Sequence, residues 1–415
     1  MCNNKPVKVT LLCHLPAGLD PVLDKFCDPW SLVSKAYLTL EGLWMTELSR
    51  RPEVELEVVS FSRLARRPTV EQLDSRLRVH ILPCGPLSGM PVGWLPRQAI
   101  LRWYLKRLSP SLVHGFRTLT GYGFLASRSG YPSLMTVEEL ISDCYKTQGA
   151  TIPLRIGRSF EARWLRCATD VIAVSRDLSE KLAVRCDGRI HIVPNIVAGI
   201  FFRVGRLAPT CDLMTVGRVC PEKGVLDLIT AAAMVGARSK RLTLRVVGGV
   251  TGPDGESYLA ACMETATRLQ KYVAVEFLGW RRPEEIADLY RTTSAAVFPS
   301  TAPYETFCIS VAEALAAGVP SIVYDHGPLP EHIIEGRNGH VVPAGNIQQL
   351  SDCIGLLLAE PSRLSRMGDC ARLAADRYRA SAVLEATLQI YHRLSRRNSS
   401  MVTRGCREAD MVGGS

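Results

Sequence analysis

The sequence has no feature that would assign it to a special class of protein. No apolar run approaches the roughly 20 residues that a membrane-spanning helix needs, and the run near the N-terminus, Val9 to Cys13, is too short for a secretory signal. The 14 cysteines include no C-x-x-C pair and no histidine at metal-ligand spacing, so neither a zinc site nor a disulfide framework is indicated. Internal repeats and long low-complexity tracts are also missing. We therefore expect a cytoplasmic globular protein with reduced thiols, no metal and no cofactor.

The positive charge of the chain is concentrated in its N-terminal half. The 415 residues carry 50 basic and 40 acidic side chains, a formal net charge of +10. Residues 1–205 hold 27 of the basic and 18 of the acidic side chains (+9), which leaves 23 and 22 (+1) for the remainder. An anionic membrane would meet this half, although a solvated basic face more often causes such a bias. Because neither a basic strand with interleaved aromatics nor a helix-turn-helix pattern is present, we expect no nucleic acid partner.

Short apolar segments alternate with helix-length segments along most of the chain. Seven apolar segments lie between Val7 and Val193, and a second series begins at Leu213 after a lapse in the alternation. Strands separated by helices form βαβ units with parallel sheets, so the sequence predicts an α/β protein with two Rossmann-like domains. The predicted ranges are 1–205 and 206–380 for the domains, 381–397 for a last helix and 398–415 for a disordered tail.

The segment that opens the second series carries two cations in a glycine-containing loop. Its apolar strand ends at Gly217, where a missing side chain lets a ligand approach the backbone. Arg218 and Lys223 follow before the next helix. Two cations beside a helix N-terminus, at the carboxyl end of a parallel strand, can bind a phosphate or diphosphate. A solvated pair of cations beside a turn explains the segment equally well.

A second segment, 298–320, places two glutamates around the start of a predicted helix. Glu305 lies in the loop before the helix, and Glu313 lies about two turns into it, among small apolar residues. The backbone N–H groups at this helix start could bind an anion, and they belong to Thr306, Phe307 and Cys308. A carboxylate among apolar residues needs hydrogen-bond donors, which the vicinal hydroxyls of a ribose would supply. An exposed residue or an internal ion pair is the alternative for Glu313.

The two segments together resemble the retaining glycosyltransferases of GT-B fold, of the group 1 or family 4 type related to glycogen synthases and bacterial mannosyltransferases. Seven residues separate Glu305 from Glu313, as in the signature of that family, and the resemblance covers nearly all of residues 206–345. It implies two lobes whose parallel sheets face across a cleft, with the donor in the second lobe and the acceptor mainly in the first. The last helix would cross back to the first lobe.

The resemblance also implies a role for each residue of the two segments. Arg218 and Lys223 would hold the donor diphosphate and stabilise its charge as it leaves, without a metal. Glu305 would orient the donor sugar, Glu313 would bind the ribose, and the 306–308 amides would lie near the phosphates. Gly249 and Gly279 would border the nucleobase. The expected partners are a nucleotide sugar of UDP or GDP type and a sugar, lipid-linked or small-molecule acceptor, with peripheral contact to an anionic membrane.

The N-terminal half departs from the family at two places. The loop after the first strand, from His14 to Asp20, has no Gly-Gly pair. After the strand Ser133–Val137, where relatives often carry a histidine, this chain has Glu138, which could replace the histidine's contact or mark a lost function. His114 also ends an apolar run and is predicted to face the cleft, with a structural role as the alternative.

Three other functions remain open at this stage. A catalytically silent nucleotide-sugar-binding protein would fit the missing Gly-Gly pair and histidine. A nucleotide-sugar epimerase would need a different set of acid and base residues, and a sugar phosphorylase would share the two-lobe fold.

Overall fold

The computed structural model describes residues 6–13, 35–85, 94–118, 120–143, 152–250 and 254–412. The chain forms two compact units, the first of Met1–Ile196 with Val383–Ser415 and the second of Val197–Ala382. The predicted boundary lay after residue 205. The difference arises because the intervening segment packs on the second unit: the Val197 amide donates to the Tyr378 carbonyl at 2.9 Å, and Phe201 contacts Tyr290 at a ring distance of 6.2 Å.

The first unit is built on an eight-stranded sheet in the order β3-β4-β2-β1-β5-β6-β7-β8. Its strands are β1 (Val7–Leu12), β2 (Val54–Ser62), β3 (Thr69–Asp74), β4 (Leu77–Pro83), β5 (Leu112–Phe116), β6 (Ser133–Val137), β7 (Asp170–Ala173) and β8 (Arg189–Ile192). Its helices are α1 (Lys35–Ser49), α2 (Trp94–Leu108), α3 (Tyr122–Ser127), α4 (Ile152–Cys167) and α5 (Arg176–Ala183). All neighbouring strands are parallel except the β3–β4 pair at the edge.

Burial explains which strands of the first sheet the sequence predicts. Val9 and Leu11 of the central strand β1 are fully buried, as expected for a parallel strand covered on both faces. Strand β3 alternates between exposed and partly exposed residues and pairs antiparallel with β4, so it lacks the apolar run that identifies the other strands. The sequence therefore does not predict β3.

The second unit has a six-stranded parallel sheet in the order β11-β10-β9-β12-β13-β14. Its strands are β9 (Cys211–Val216), β10 (Leu242–Val247), β11 (Val273–Gly279), β12 (Thr293–Phe298), β13 (Ser321–Asp325) and β14 (Gly339–Pro343). Its helices are α6 (Val225–Arg238), α7 (Gly255–Arg268), α8 (Pro283–Tyr290), α9 (Ile309–Ala316), α10 (Ile347–Ala359) and α11 (Pro361–Ala375). This order is the doubly wound Rossmann order, in which the strand sequence reverses between β9 and β12. The α/β prediction with parallel sheets in both domains is confirmed.

The last helix, α12 (Ala380–Val412), starts in the second unit and continues in the first. Tyr391 on this helix hydrogen-bonds His114 at 2.7 Å, and Arg393 hydrogen-bonds Asp170 at 2.6 Å. The helical backbone extends to Val412, which corrects the predicted disordered tail from residue 398. The segment 398–412 contains no proline, so nothing in its sequence forces the helix to end at the serine pair. Within the described ranges, no helix has the length and apolar character that crossing a bilayer requires.

Candidate active site

The glycines predicted to bind the donor meet at one edge of the second sheet. The Gly217 amide after β9 donates to the Val247 carbonyl at 2.9 Å, and the Gly248 amide after β10 donates to the Gly279 carbonyl at 2.9 Å. Gly249 accepts a hydrogen bond of 2.9 Å from the amide of Val219, which joins it to the same group. Ligands of doubly wound sheets bind at this edge, outside the carboxyl ends of the strands and next to the reversal of strand order.

Gly248 is a residue of this edge that the sequence analysis did not single out. Its φ is 142°, and a Cβ at this position would lie 1.7 Å from the Gly217 carbonyl oxygen. No side chain fits there, so the close approach of the β9 and β10 ends requires glycine. The Gly248-Gly249 pair directly after an apolar strand was the available sequence signal.

Lys223 and Glu305 form an ion pair between the loops that follow β9 and β12. The loops are joined by the backbone, because the Thr301 amide donates to the Glu222 carbonyl at 2.8 Å. The two paired side chains are only 18% and 12% exposed. Burial opposes ionisation of Glu305, but the Lys223 ammonium, by charge and hydrogen bond, and the Arg218 charge outweigh it and hold the pKa of Glu305 below its usual value. The pair is therefore charged at neutral pH.

Arg218 lies over an aromatic ring. Its guanidinium carbon is 4.8 Å from the ring centroid of Tyr304, and the Tyr304 hydroxyl is 3.9 Å from the Cys220 sulfur. A cation–π contact orients the planar guanidinium. The Arg218 side chain remains partly exposed. Tyr304 is a site residue that the sequence analysis missed, since nothing in its local sequence shows that it packs on residues more than 80 positions earlier.

A small pocket brings four of the predicted donor residues together. Gly217, Arg218, Lys223 and Cys308 all line it. A second pocket of this unit lies along β14, α10 and α11 near His340 and contains none of the predicted site residues. The pocket at the β9 and β12 ends is therefore the candidate donor site, because it combines cationic side chains with open backbone groups.

The loop before α9 contributes Cys308 to the lining of this pocket. Within the described residues, the amides of Phe307 and Cys308 donate no hydrogen bond, and Thr306 is buried beside them. Cys308 adopts a left-handed conformation with φ 62° and ψ 72°, which is unusual for a residue other than glycine. Burial raises the pKa of its thiol to about 12, so the thiol is neutral. Free amides at a helix start are suited to binding an anion.

Glu313 lies on α9 among buried alanine and leucine side chains and is itself partly exposed. Its carboxylate has no hydrogen-bond or ion-pair partner among the residues that the structure describes, which does not support the alternative of an internal ion pair. Burial raises its pKa to about 8. Ligand hydroxyls that donate hydrogen bonds to the carboxylate would stabilise its ionised form, which burial disfavours.

Glu138, in the first unit, belongs to a cluster of three glutamates around Arg117. The Arg117 Nε lies 2.9 Å from Glu138 and 3.1 Å from Glu41, and its Nη1 lies 3.7 Å from Glu139. Burial raises the pKa of Glu138 and of Glu41 to about 7 each, against the opposing effect of the Arg117 charge. The cluster lies after β5 and β6, and Arg117 has a left-handed φ of 67°. The sequence alone does not point to Arg117 and Glu41, because they are distant from Glu138 in the chain.

His114 lies in the core of the first unit, where its side chain is fully buried. One ring nitrogen is 2.7 Å from the Tyr391 hydroxyl and the other is 2.7 Å from the Thr136 hydroxyl. Burial lowers its pKa to about 3. The expected catalytic position of His114 is therefore not supported, because a proton-exchanging histidine needs an accessible ring nitrogen. The loop from His14 to Asp20 lies outside the described residues.

Comparisons with known proteins agree with this architecture. Residues 208–374 match the family model "Glycosyl transferases group 1", and residues 43–195 match the "Glycosyl transferase 4-like domain". The chain is 30% identical to a GDP-mannose-dependent alpha-mannosyltransferase of Mycobacterium tuberculosis over 71% of this chain and 76% of that protein. It is 28% identical to a D-inositol 3-phosphate glycosyltransferase of Nocardia farcinica over 83% and 82% of the two chains.

A solved structure with the same fold is the sucrose-phosphate synthase of Thermosynechococcus elongatus. It superimposes with a TM-score of 0.70 at 20% identity, over 94% of this chain and 99% of that one. At this identity the likeness shows the fold alone. Together with the family matches and the mannosyltransferase, it means that this chain belongs to the group 1 glycosyltransferases, enzymes of the GT-B fold.

Proposed function

We propose that this enzyme transfers a hexose from a nucleotide diphosphate sugar to an acceptor hydroxyl and retains the anomeric configuration. The observation that carries the proposal is the pocket at the β9 and β12 ends, which is lined by Arg218, Lys223 and Cys308. The Cys308 amide donates no hydrogen bond among the described residues. These donors suit a diphosphate, because cations and an amide that already lie around one pocket need little rearrangement when charge develops there.

The positions of Lys223 and Glu305 support distinct roles in this reaction. The donor diphosphate leaves with an extra negative charge, which the Lys223 ammonium and the Arg218 guanidinium would stabilise. Glu305 keeps Lys223 in place through their ion pair, and its remaining hydrogen-bonding capacity would orient hydroxyls of the donor sugar. In a transfer with retention, the leaving phosphate oxygen would accept the proton of the acceptor hydroxyl, so no separate protein base is needed.

Glu313 and the glycines at the strand ends would hold the nucleoside. The unpartnered Glu313 carboxylate would accept hydrogen bonds from both ribose hydroxyls. A Cβ at Gly249 or Gly279 would meet no described atom within 4 Å, so the backbone there is open to a flat nucleobase. We propose a donor of GDP or UDP type, and the similarity to a GDP-mannose-dependent enzyme makes GDP-mannose the first donor to test.

The charged groups of the first domain are the basis for the proposed acceptor. The Arg117 cluster combines one cation with three carboxyl groups in a largely buried site, so it would favour an acceptor that offers hydroxyl donors. We further propose that the basic first domain contacts anionic membranes, as would suit a lipid-linked acceptor of glycan, polysaccharide or glycolipid synthesis. No metal is needed in this scheme, because cationic side chains carry out the charge stabilisation.

A second candidate is a protein that binds nucleotide sugars without transferring them. It is favoured by one observation: both side chains predicted to act in the first domain, Glu138 and His114, have partners within that domain. Binding of the donor without turnover under any acceptor would distinguish it from the enzyme.

The deciding experiment measures binding and sugar release for UDP, GDP and ADP sugars with wild type and Arg218→Ala. Arg238→Ala is the matched control, because Arg238 forms an exposed ion pair of 2.8 Å with Asp352 in the same domain. We expect selective binding by wild type and the control, and binding weakened by about tenfold or more in Arg218→Ala. The anomeric form of the first product, read by NMR, tests retention. Absence of binding to all three donor classes would refute the proposed donor site.

A further inference from the structure

A buried histidine–tyrosine pair contacts the backbone of the loop that precedes α9. His332 and Tyr378 each end a short 3-10 helix, Leu329–His332 and Asp376–Tyr378, and each is 2% exposed. The His332 Nδ1 lies 2.7 Å from the Tyr378 hydroxyl, and the His332 Nε2 hydrogen-bonds the Phe307 carbonyl. The Phe307 ring packs edge-on against both rings, at 4.9 Å from His332 and 5.5 Å from Tyr378.

The hydrogen-bond partners fix the direction of this chain of contacts. Burial lowers the pKa of His332 to about 4, so the imidazole is neutral at neutral pH and carries one ring hydrogen. A carbonyl oxygen can only accept, so that hydrogen lies on Nε2 and is donated to Phe307. The Nδ1 atom must then accept from the Tyr378 hydroxyl. Tyr378 in turn accepts from the Arg377 guanidinium, which also donates to the Glu331 carbonyl at 2.6 Å.

The contact with Phe307 determines where the next amide points. The Phe307 carbonyl and the Cys308 N–H belong to one planar trans peptide group and point in opposite directions. A hydrogen bond that fixes the carbonyl therefore fixes the amide as well. The neighbouring Cys308 has left-handed dihedral angles, a conformation that persists only where surrounding contacts impose it. Cys308 lines the same pocket as Lys223 and Arg218.

We propose that His332, held by Tyr378, is a positioning residue that aims the Cys308 amide at the donor diphosphate. This inference rests on the proposed donor site. Neither His332 nor Tyr378 lines the pocket, so they act through the peptide group between Phe307 and Cys308. The effect should be specific to ligands that carry the diphosphate.

The test compares three variants of the pair with one matched control. Tyr378→Phe removes only the hydroxyl that orients His332, His332→Ala removes both contacts, and His332→Gln restores an N–H that can reach the Phe307 carbonyl. The control is Tyr104→Phe in the first domain, which removes a buried histidine–tyrosine hydrogen bond of 2.9 Å to His80, far in sequence from any predicted donor residue. Calorimetry gives the affinity of each protein for UDP, GDP and ADP and for the corresponding nucleosides, and thermal unfolding gives its stability.

We expect Tyr378→Phe to bind the preferred nucleoside diphosphate about three- to tenfold more weakly, His332→Ala more weakly still, and His332→Gln to regain part of the loss. Nucleoside affinity should stay within about twofold in all variants. Tyr104→Phe should lower the unfolding temperature without changing either affinity. If His332→Ala does not fold, the diphosphate and nucleoside affinities of Tyr378→Phe and His332→Gln test the proposal.

Two results would overturn the inference, and they are distinguishable. If wild type binds a nucleoside diphosphate but the variants lose diphosphate and nucleoside affinity equally, or lose neither, His332 is only a structural residue and the donor site stands. If wild type binds none of the three diphosphates, the proposed donor site fails and the inference fails with it.

Discussion

Replacing Lys223 by methionine tests whether the Lys223–Glu305 ion pair organises the second domain as well as its site. The substitution keeps the length of the side chain and leaves the Glu305 carboxylate without its ammonium partner. Breaking a buried pair from one side costs about 3–5 kcal/mol. The residual exposures of 18% and 12% lower the expected loss to about 2–3 kcal/mol near neutral pH.

The loss should depend on pH in a defined direction. In wild type the pKa of Glu305 lies below its usual value of 4.5, so the stabilisation is present above pH 4.5 and is lost as the pH falls through the lower, folded-state pKa. In Lys223→Met, burial is no longer opposed by the ammonium, so the pKa of Glu305 rises. The carboxyl then takes up a proton at a higher pH than in wild type, and the difference in stability from wild type should shrink as the pH falls.

The assay is urea unfolding, followed by a probe of the second domain, at several pH values. Lys223→Met/Glu305→Gln should regain most of the stability that Lys223→Met loses, because no uncompensated charge remains. Lys240→Met is the control, since Lys240 is 76% exposed in its ion pair with Asp212, and a change within about 0.5 kcal/mol is expected. Equal stability of Lys223→Met and wild type at pH near 7.5, or no recovery in the double variant, would refute the reasoning.

Three further predictions concern other parts of the two domains. Gly248→Ala should weaken donor binding and lower the unfolding midpoint, because its Cβ would lie 1.7 Å from the Gly217 carbonyl; an unchanged midpoint would contradict this. Donor nucleotide-sugar affinity should increase as the pH rises through about 8, where Glu313 ionises, and Glu313→Gln should make the titration flat. Arg117→Met should lose on the order of 3 kcal/mol at pH near 8, where Glu41 and Glu138 are largely ionised, and less near pH 6, where these two carboxyl groups are largely protonated. Equal losses at both pH values, by urea unfolding, would speak against the cluster.

Much of the fold could be predicted because the signal for each element is local. Strands β6 and β10 have the predicted bounds, since each is an apolar run of the length that a buried strand needs. Strand β3 was missed because its side chains are half exposed and its place is set by pairing with β4. Helix α11 was missed for a related reason: its sequence is largely polar, and its buried positions become apparent only against the second domain.

The sequence indicates which residues belong to the proposed donor site, but not the contacts between them. Gly217, Arg218 and Lys223 lie within seven positions of one another, and the segment from Glu305 to Glu313 is also continuous, so each could be identified from the sequence. Gly217, Arg218, Lys223 and Cys308 line one pocket because β9 and β12 are neighbours at the reversal of the sheet. The Glu305 ion pair and the stacking of Arg218 on Tyr304 depend on side-chain directions that strand order alone does not give.

The sequence by itself determined the alternation of strands and helices, the two-domain organisation and the two segments of the proposed donor site, because these depend on apolar periodicity and on short contiguous patterns. The tertiary structure decided which polar groups have partners. His332 is 46 positions from Tyr378, and His114 is 277 positions from Tyr391, yet each pair is within hydrogen-bond distance. Burial and partners determine a side chain's charge state, and both come from residues that only folding brings together. His332 therefore pairs with Tyr378, His114 packs in the core of the first unit, and Glu138 joins the cluster around Arg117.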